Sequence, residues 1–89
     1  MEIMHDEKSR RFVTDHEEPA YLAYEETEDG KLDLTHTLVP AELEGKGVGS
    51  ALVQRALAHA RKKGVKILPS CQFVQTWLER HPDHSDLVG

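Results

Sequence analysis

Val39-Pro40-Ala41-Glu42-Leu43-Glu44-Gly45-Lys46-Gly47-Val48-Gly49-Ser50 is the stretch on which the reading of this chain turns, because it leads from a strand-like run straight into an amphipathic helix. Alternating glycines at a helix start leave backbone N–H groups uncovered, and such orphan donors together with the helix dipole favour a phosphate or another anion. A phosphorylated ligand is therefore expected on this loop. Cys71, the only cysteine, follows beyond the helix and the next strand. The loop then reads as one half of a cofactor-dependent site and thiol chemistry as the other.

Upstream, Leu32 to Val39 alternates as a strand, with Leu32, Leu34, His36 and Leu38 expected on one face and Asp33, Thr35, Thr37 and Val39 on the other. Pro40 has no N–H for a ladder and ends it. Glu28-Asp29-Gly30-Lys31 carries the Asp-Gly signal of a hairpin turn, pairing this strand with one from Ala20 to Thr27. Arg11 to Thr14 reads as a further short strand and Asp15 to Pro19 as a turn; the polar residues up to about Lys8 have no period and read as a disordered terminus.

Downstream, Val48, Ala51, Leu52, Ala56 and Ala60, with Val53 and Leu57 beside them, recur at helical spacing, and Lys62-Lys63-Gly64 closes a helix that begins at Gly47. Val65 to Leu68 follows as a short buried strand, parallel to the strand before the loop through a right-handed crossover. A second helix from Cys71 to about Arg80 turns Val74, Trp77 and Leu78 inward and stops at His81-Pro82. The expected fold is one α/β domain over 1–89: an antiparallel meander continuing into a parallel strand pair, with two helices.

The 89 residues suit a single small domain that buries only roughly two-thirds of its unfolded surface. One cysteine allows no internal disulfide, and the histidines lack zinc-finger spacing, so no metal is expected. Met1 to Asp6 lacks the pattern of a secretory signal and no run is long enough to span a bilayer, which gives the expectation of a reduced, cytoplasmic setting. A formal charge of −5 argues against general nucleic-acid or anionic-membrane binding and favours a cationic or neutral substrate.

The loop lacks the Gly-x4-Gly-Lys-Ser/Thr of a Walker motif, and counting from Gly45 the sixth position of a dinucleotide fingerprint is Ser50 rather than glycine. A bland reading is that Gly47 and Gly49 only allow close packing between strand and helix. In its context of strand, Val-Pro, short loop and helix start, however, the stretch resembles the acyl-CoA loop of the GNAT superfamily of N-acetyltransferases, whose motif is Arg/Gln-x-x-Gly-x-Gly/Ala. Glu44, Gly47 and Gly49 stand at those positions, with Glu44 in place of the family's Arg or Gln and Lys46 beside it to offset the charge. The resemblance implies that the amides of Gly45, Lys46, Gly47, Val48, Gly49 and Ser50 hold the CoA pyrophosphate. It also implies that Leu38 and Val39 offer backbone groups to the pantetheine arm.

Cys71, at the start of a helix beyond a strand end, is where a dipole favours a thiolate, although free cysteine is ordinarily a small buried hydrophobe. His36 lies on the strand that would line the cofactor, and nucleophile and base within reach is what thiol activation requires. His36-Thr37-Leu38-Val39-Pro40, Pro69-Ser70-Cys71, His81-Pro82 and Leu87-Val88, taken with the glycine loop, resemble a subgroup of very small single-domain GNAT-like proteins, in which the matching His and Cys are the proposed catalytic residues. Compared with a full-length acetyltransferase, the chain has no room for the N-terminal helices that shape the acceptor site, so that pocket is expected to be open or completed by a partner.

His81-x-x-His84 is half of a metal site at most, with Pro82 between the two. Glu17, Glu18, Glu25, Glu26, Glu28 and Asp29 cluster around the N-terminal turns, as a solvated surface or an attraction for an amine. The resulting expectation is acetyl transfer from acetyl-CoA to a primary amine of a small molecule or protein, with His36 as base or through an acetyl-Cys71 intermediate. The alternatives are a non-catalytic acyl-CoA-binding module or partner subunit, and a plain structural domain. The expected state is a monomer or weak homodimer, since a truncated sheet leaves an exposed edge.

Overall fold

The computed structural model describes residues 1–89. Five strands form one sheet in sequence order: β1 (Ile3–Asp6), β2 (Arg11–Thr14), β3 (Tyr21–Glu26), β4 (Leu32–Leu38) and β5 (Ile67–Pro69). The first four pair antiparallel and β4 pairs β5 in parallel, as the crossover helix requires. Helix α1 (Val48–Lys63) makes the crossover, and α2 (Gln72–Arg80) follows β5. Short 3-10 turns at Ala41–Leu43 and Pro82–Leu87 complete the chain, and Val88 adds a parallel bridge to Ile67.

Alternation explains the core. Phe12, Leu22, Tyr24, Leu32, Leu34 and Ile67 point from the sheet into a single cluster with Leu52, Val53, Ala56 and Leu57 of α1 and Val74 and Trp77 of α2. Both helices therefore cover one face. The opposite face, carrying Tyr21, Ala23, Glu25, Asp33 and His36, is half-buried or exposed. Gly64 ends α1 in the left-handed conformation at φ 75°, donating to the Ala60 and Arg61 carbonyls, and Arg61, Lys62 and Lys63 complement the dipole in the last turn. No helix is long and apolar enough to cross a membrane.

Two expectations are corrected here. Residues up to Lys8 are not wholly frayed, because Ile3–Asp6 pairs with β2 from Ile3↔Thr14 to Asp6↔Arg11. Its anchor is polar: His5 stacks on Phe12 at 4.4 Å, and its Nε2 lies 2.6 Å from the Tyr24 hydroxyl. The second correction concerns β4, which is not a simple alternation. Ala23 faces His36 but Tyr24 faces Leu34, leaving Thr35 as an extra residue, a β-bulge that exchanges the two faces of the strand beyond it. His36 and Leu38 accordingly share the open face, and Thr37 takes the core side that His36 was expected to occupy.

Candidate active site

The parallel pairing of β4 with β5 is brief. It runs from Leu32↔Ile67 to Leu34↔Pro69, and the Cys71 N–H then donates to the Leu34 carbonyl at 2.8 Å. β4 continues to Leu38 with β3 on one side only, so its other backbone edge is unpaired. A cleft of about 600 Å³ opens there. Thr37 of β4 and Val39 just beyond it line one side, Glu44, Gly45 and Gly47 to Ser50 line it from the loop and α1, and Phe73, Thr76, Trp77 and Arg80 line it from α2, with His81 at that helix's C-cap.

The N-terminus of α1 is open to a ligand. The first amide in the helix with a backbone acceptor is that of Ala51, on the Gly47 carbonyl at 3.0 Å, and the N-cap Gly47 has no side-chain cap. The amides of Val48, Gly49 and Ser50 are left as donors at the positive end of the dipole. Left-handed backbone at Gly45 and Gly47, φ 76° and 74°, shapes the turn that presents them. The Ser50 hydroxyl is engaged elsewhere, accepting from Trp77 Nε1 at 2.8 Å and from Gln54 Nε2 at 3.2 Å. Gly49 has a different reason: a Cβ there would lie 2.6 Å from Phe73 Cζ, so close helix packing does account for one of the glycines.

Of the residues named for the cofactor, Val39, Glu44, Gly45, Gly47, Val48, Gly49 and Ser50 line the cleft, whereas the side chains of the other two do not. The Leu38 side chain is exposed on the open face while its backbone belongs to the unpaired edge of β4, and Lys46 lies outside the lining, so it does not stand in the cleft to offset Glu44. Arg80 supplies the cationic group of the lining instead, beside His81. Of the wall they belong to, only Trp77 is expected from the sequence, as core or as a wall near the acyl group, although Phe73, Thr76, Trp77 and Arg80 follow helical i, i+3, i+4, i+7 spacing.

His36 and Cys71 do not form the expected pair. Cys71 is buried as the N-cap of α2, and its Sγ lies 3.4 Å from Thr37 Oγ1. His36 is exposed on the other face, its ring tilted against Tyr21 at 5.9 Å. The bulge at Thr35 is the cause. Asp33 also belongs to the open face, and its Oδ1 is buried without a hydrogen-bond partner.

His81 and His84 are likewise committed. His81 Nδ1–H donates to the Trp77 carbonyl at 2.7 Å, with its ring stacked on the indole at 3.8 Å, and His84 Nδ1 accepts from Arg61 at 3.3 Å. The acidic residues separate into two sets. Glu25, Glu26 and Asp29 pair with Arg10, Lys63 and Lys31 at the surface. Glu17 and Glu18 gather with Glu42 and His16 around a depression that shares Leu43 with the cleft.

The sequence profile described as GCN5-related N-acetyl-transferase matches residues 11–87. The chain is similar to the NMR solution structure of a GCN5-like N-acetyltransferase candidate from Staphylococcus aureus, with 31% identity and a TM-score of 0.79 over 99% of this chain and 87% of that one. It is also 28% identical to Protein NATD1 of Gallus gallus over 92% of this chain and 77% of the relative. Against Protein NATD1 of Homo sapiens it is 28% identical over 90% and 74%.

Proposed function

The chain belongs to the GCN5-related N-acetyltransferase family, and from that premise we propose that it transfers an acetyl group from acetyl-CoA to a primary amine. One observation carries the reading: unpartnered amides of Val48, Gly49 and Ser50 at a cleft that also exposes the free edge of β4. A diphosphate suits those amides, with the Arg80 guanidinium in the same lining to offset the carboxylate of Glu44. The amide groups of a pantetheine arm suit the unpaired edge at Thr37 to Val39, as an added strand would. Acetyl-CoA supplies the activated thioester carbonyl.

In the transfer the amine nitrogen bonds to the acetyl carbon, the carbon–sulfur bond breaks, sulfur leaves as the CoA thiolate and the amine proton passes to a base. His36 is the base in this proposal, since it is solvent-accessible on the open face of β4 beside the gap left where β5 ends. Cys71 lies on the core side with the Thr37 hydroxyl as its hydrogen-bond partner, and a hydroxyl does not deprotonate a thiol. Direct transfer is favoured over an acetyl-Cys71 relay. The carboxylates of Glu17, Glu18 and Glu42 next to the cleft suit a cationic amine.

Release of CoA thiol in the presence of a panel of primary amines tests the proposal. His36→Gln should lower kcat by roughly 10²-fold or more, and Cys71→Ala should stay within a few-fold of the parent. Full activity of His36→Gln would remove the assigned base, and loss of turnover in Cys71→Ala would restore the covalent route. The open sheet face, where an acceptor has no covering element, favours one other reading, a non-catalytic acyl-CoA-binding module. It predicts thermal stabilisation by acetyl-CoA with no thiol release on any amine.

A further inference from the structure

The open face of the sheet has a packing of its own around His36. Strand register sets it in rows: Met4, Val13, Tyr21 and Leu38 lie side by side across four strands, and Asp6, Arg11, Ala23 and His36 form the next row. Val13 is buried although it stands outside the core cluster, between Met4 and Tyr21 in its row, so side chains on this face already cover one another. Ala23, directly opposite His36, offers only a methyl group. The aromatic neighbour of the imidazole is therefore diagonal: Tyr21, with 5.9 Å between ring centroids and 56° between planes.

We propose that Tyr21 is the positioning residue for His36, its ring meeting both the imidazole and the Arg11 guanidinium so that one orientation of the proposed base is favoured. The inference rests on the assignment of His36 as the base and adds to it what aims that base. An exposed histidine on a strand has three staggered χ1 positions open to it. Contact with the Tyr21 ring selects among them.

Tyr21 is itself held. Arg11 Cζ lies 5.4 Å over its ring, within the range of a cation–π contact, and Asp6 on the next strand places Oδ2 3.8 Å from Arg11 Nε. A half-exposed ion pair adds little to stability, so its effect is on where the guanidinium rests. The backbone is tied as well, because Thr35 Oγ1 donates to the Ala23 carbonyl at 3.3 Å and so fixes the bulge from which His36 projects. Aim has kinetic weight: a misplacement of about 1 Å at a reacting group costs roughly 10²-fold, and dilution among three rotamers alone costs about threefold.

Solution NMR and turnover of the intact chain test the assignment together. In the parent the His36 ring protons should show nuclear Overhauser contacts to the Tyr21 ring, and Tyr21→Leu, which keeps an apolar side chain beside Val13, should shift the His36 signals by removing the ring current. The same variant should lower kcat by about three- to tenfold with the KM for acetyl-CoA unchanged. Tyr21→Phe should recover most of that loss, because the ring makes the contact. In a His36→Gln background Tyr21→Leu should cost nothing further. Missing contacts in the parent, unmoved His36 signals or undiminished kcat in Tyr21→Leu, or an equal loss in the His36→Gln background overturns the inference while His36 stands as the base. Full turnover of His36→Gln removes the base itself, and the inference falls with it.

Discussion

Gly47→Ala separates what the glycine loop does for the fold from what it does for a ligand. Gly47 is the N-cap of α1 at φ 74° and ψ 15°, and a Cβ at that position meets nothing within 4 Å. The substitution therefore strains the backbone without a clash. Holding alanine left-handed costs about 1–2 kcal/mol, of which roughly 0.4–1 kcal/mol is returned by the stiffer unfolded chain. For 89 residues the unfolding entropy is about 0.19 kcal/mol/K, so a net loss near 1 kcal/mol lowers Tm by about 5 °C. Acetyl-CoA at about 100 times its Kd adds about 2.7 kcal/mol to the parent, or roughly 14 °C on the same scale. Relief of the strain turns the Val48 and Gly49 amides away, and loss of one charge-assisted bond, about 1.5–3 kcal/mol, reduces that increment at the same ligand concentration to about 0.3–1.3 kcal/mol. Scanning calorimetry with and without the donor measures both numbers. A variant with the lower Tm but an undiminished ligand increment would refute the assignment of the diphosphate to these amides.

Leu52→Ala empties a fully buried position at the centre of the core and should cost about 2–5 kcal/mol in urea unfolding, with an unchanged m-value. Arg10 holds φ 53°, and its ion pair with Glu25 at 3.8 Å is exposed, so Arg10→Gly should raise the urea midpoint by about 0.5–1 kcal/mol equivalent rather than lower it. His5 and His59 meet with ring centroids 4.4 Å apart, and burial is the first cause that lowers both below their ordinary 6.5, with Arg55 and Lys63 lowering and Glu7 raising. The unfolded chain then takes up protons near 6.5 before the folded one does, so Tm should fall as pH drops from about 7 toward 5. His59→Gln should flatten that slope by roughly half, and a Tm independent of pH over this window would refute the coupling.

The elements that could be read from local pattern are those whose stabilisation is local in sequence. Helix α1 declares itself through seven inward positions and a glycine at each end, and the β3–β4 hairpin through Asp29-Gly30. β1 escaped notice because its inward anchor is His5, which finds Tyr24 and Phe12 across the sheet and His59 on α1, partners distant in sequence. The shape of the glycine loop was legible for the same reason as α1: glycine, proline and a helix start leave few conformations. Of its opposite wall on α2 only Trp77 was, since Phe73, Thr76, Trp77 and Arg80 mix aromatic, polar and charged residues on one stripe and no hydrophobic period marks them.

The orientation of His36 depends on register, which no single strand contains. One extra residue at Thr35 decides it. Without the bulge, Leu34 inward would bring His36 and Leu38 inward as well, placing an imidazole under the helices and a leucine at the cleft. With it, Leu34 still fills the core, a small Thr37 lies against the Cys71 thiol and lines the cleft, and the imidazole stays in water. A base needs solvent access to pass on a proton, and a slot for an extended pantetheine arm needs small neutral walls. The same inserted residue meets both requirements, so the bulge and not the Cys71 thiol is the feature of β4 on which the proposed chemistry depends.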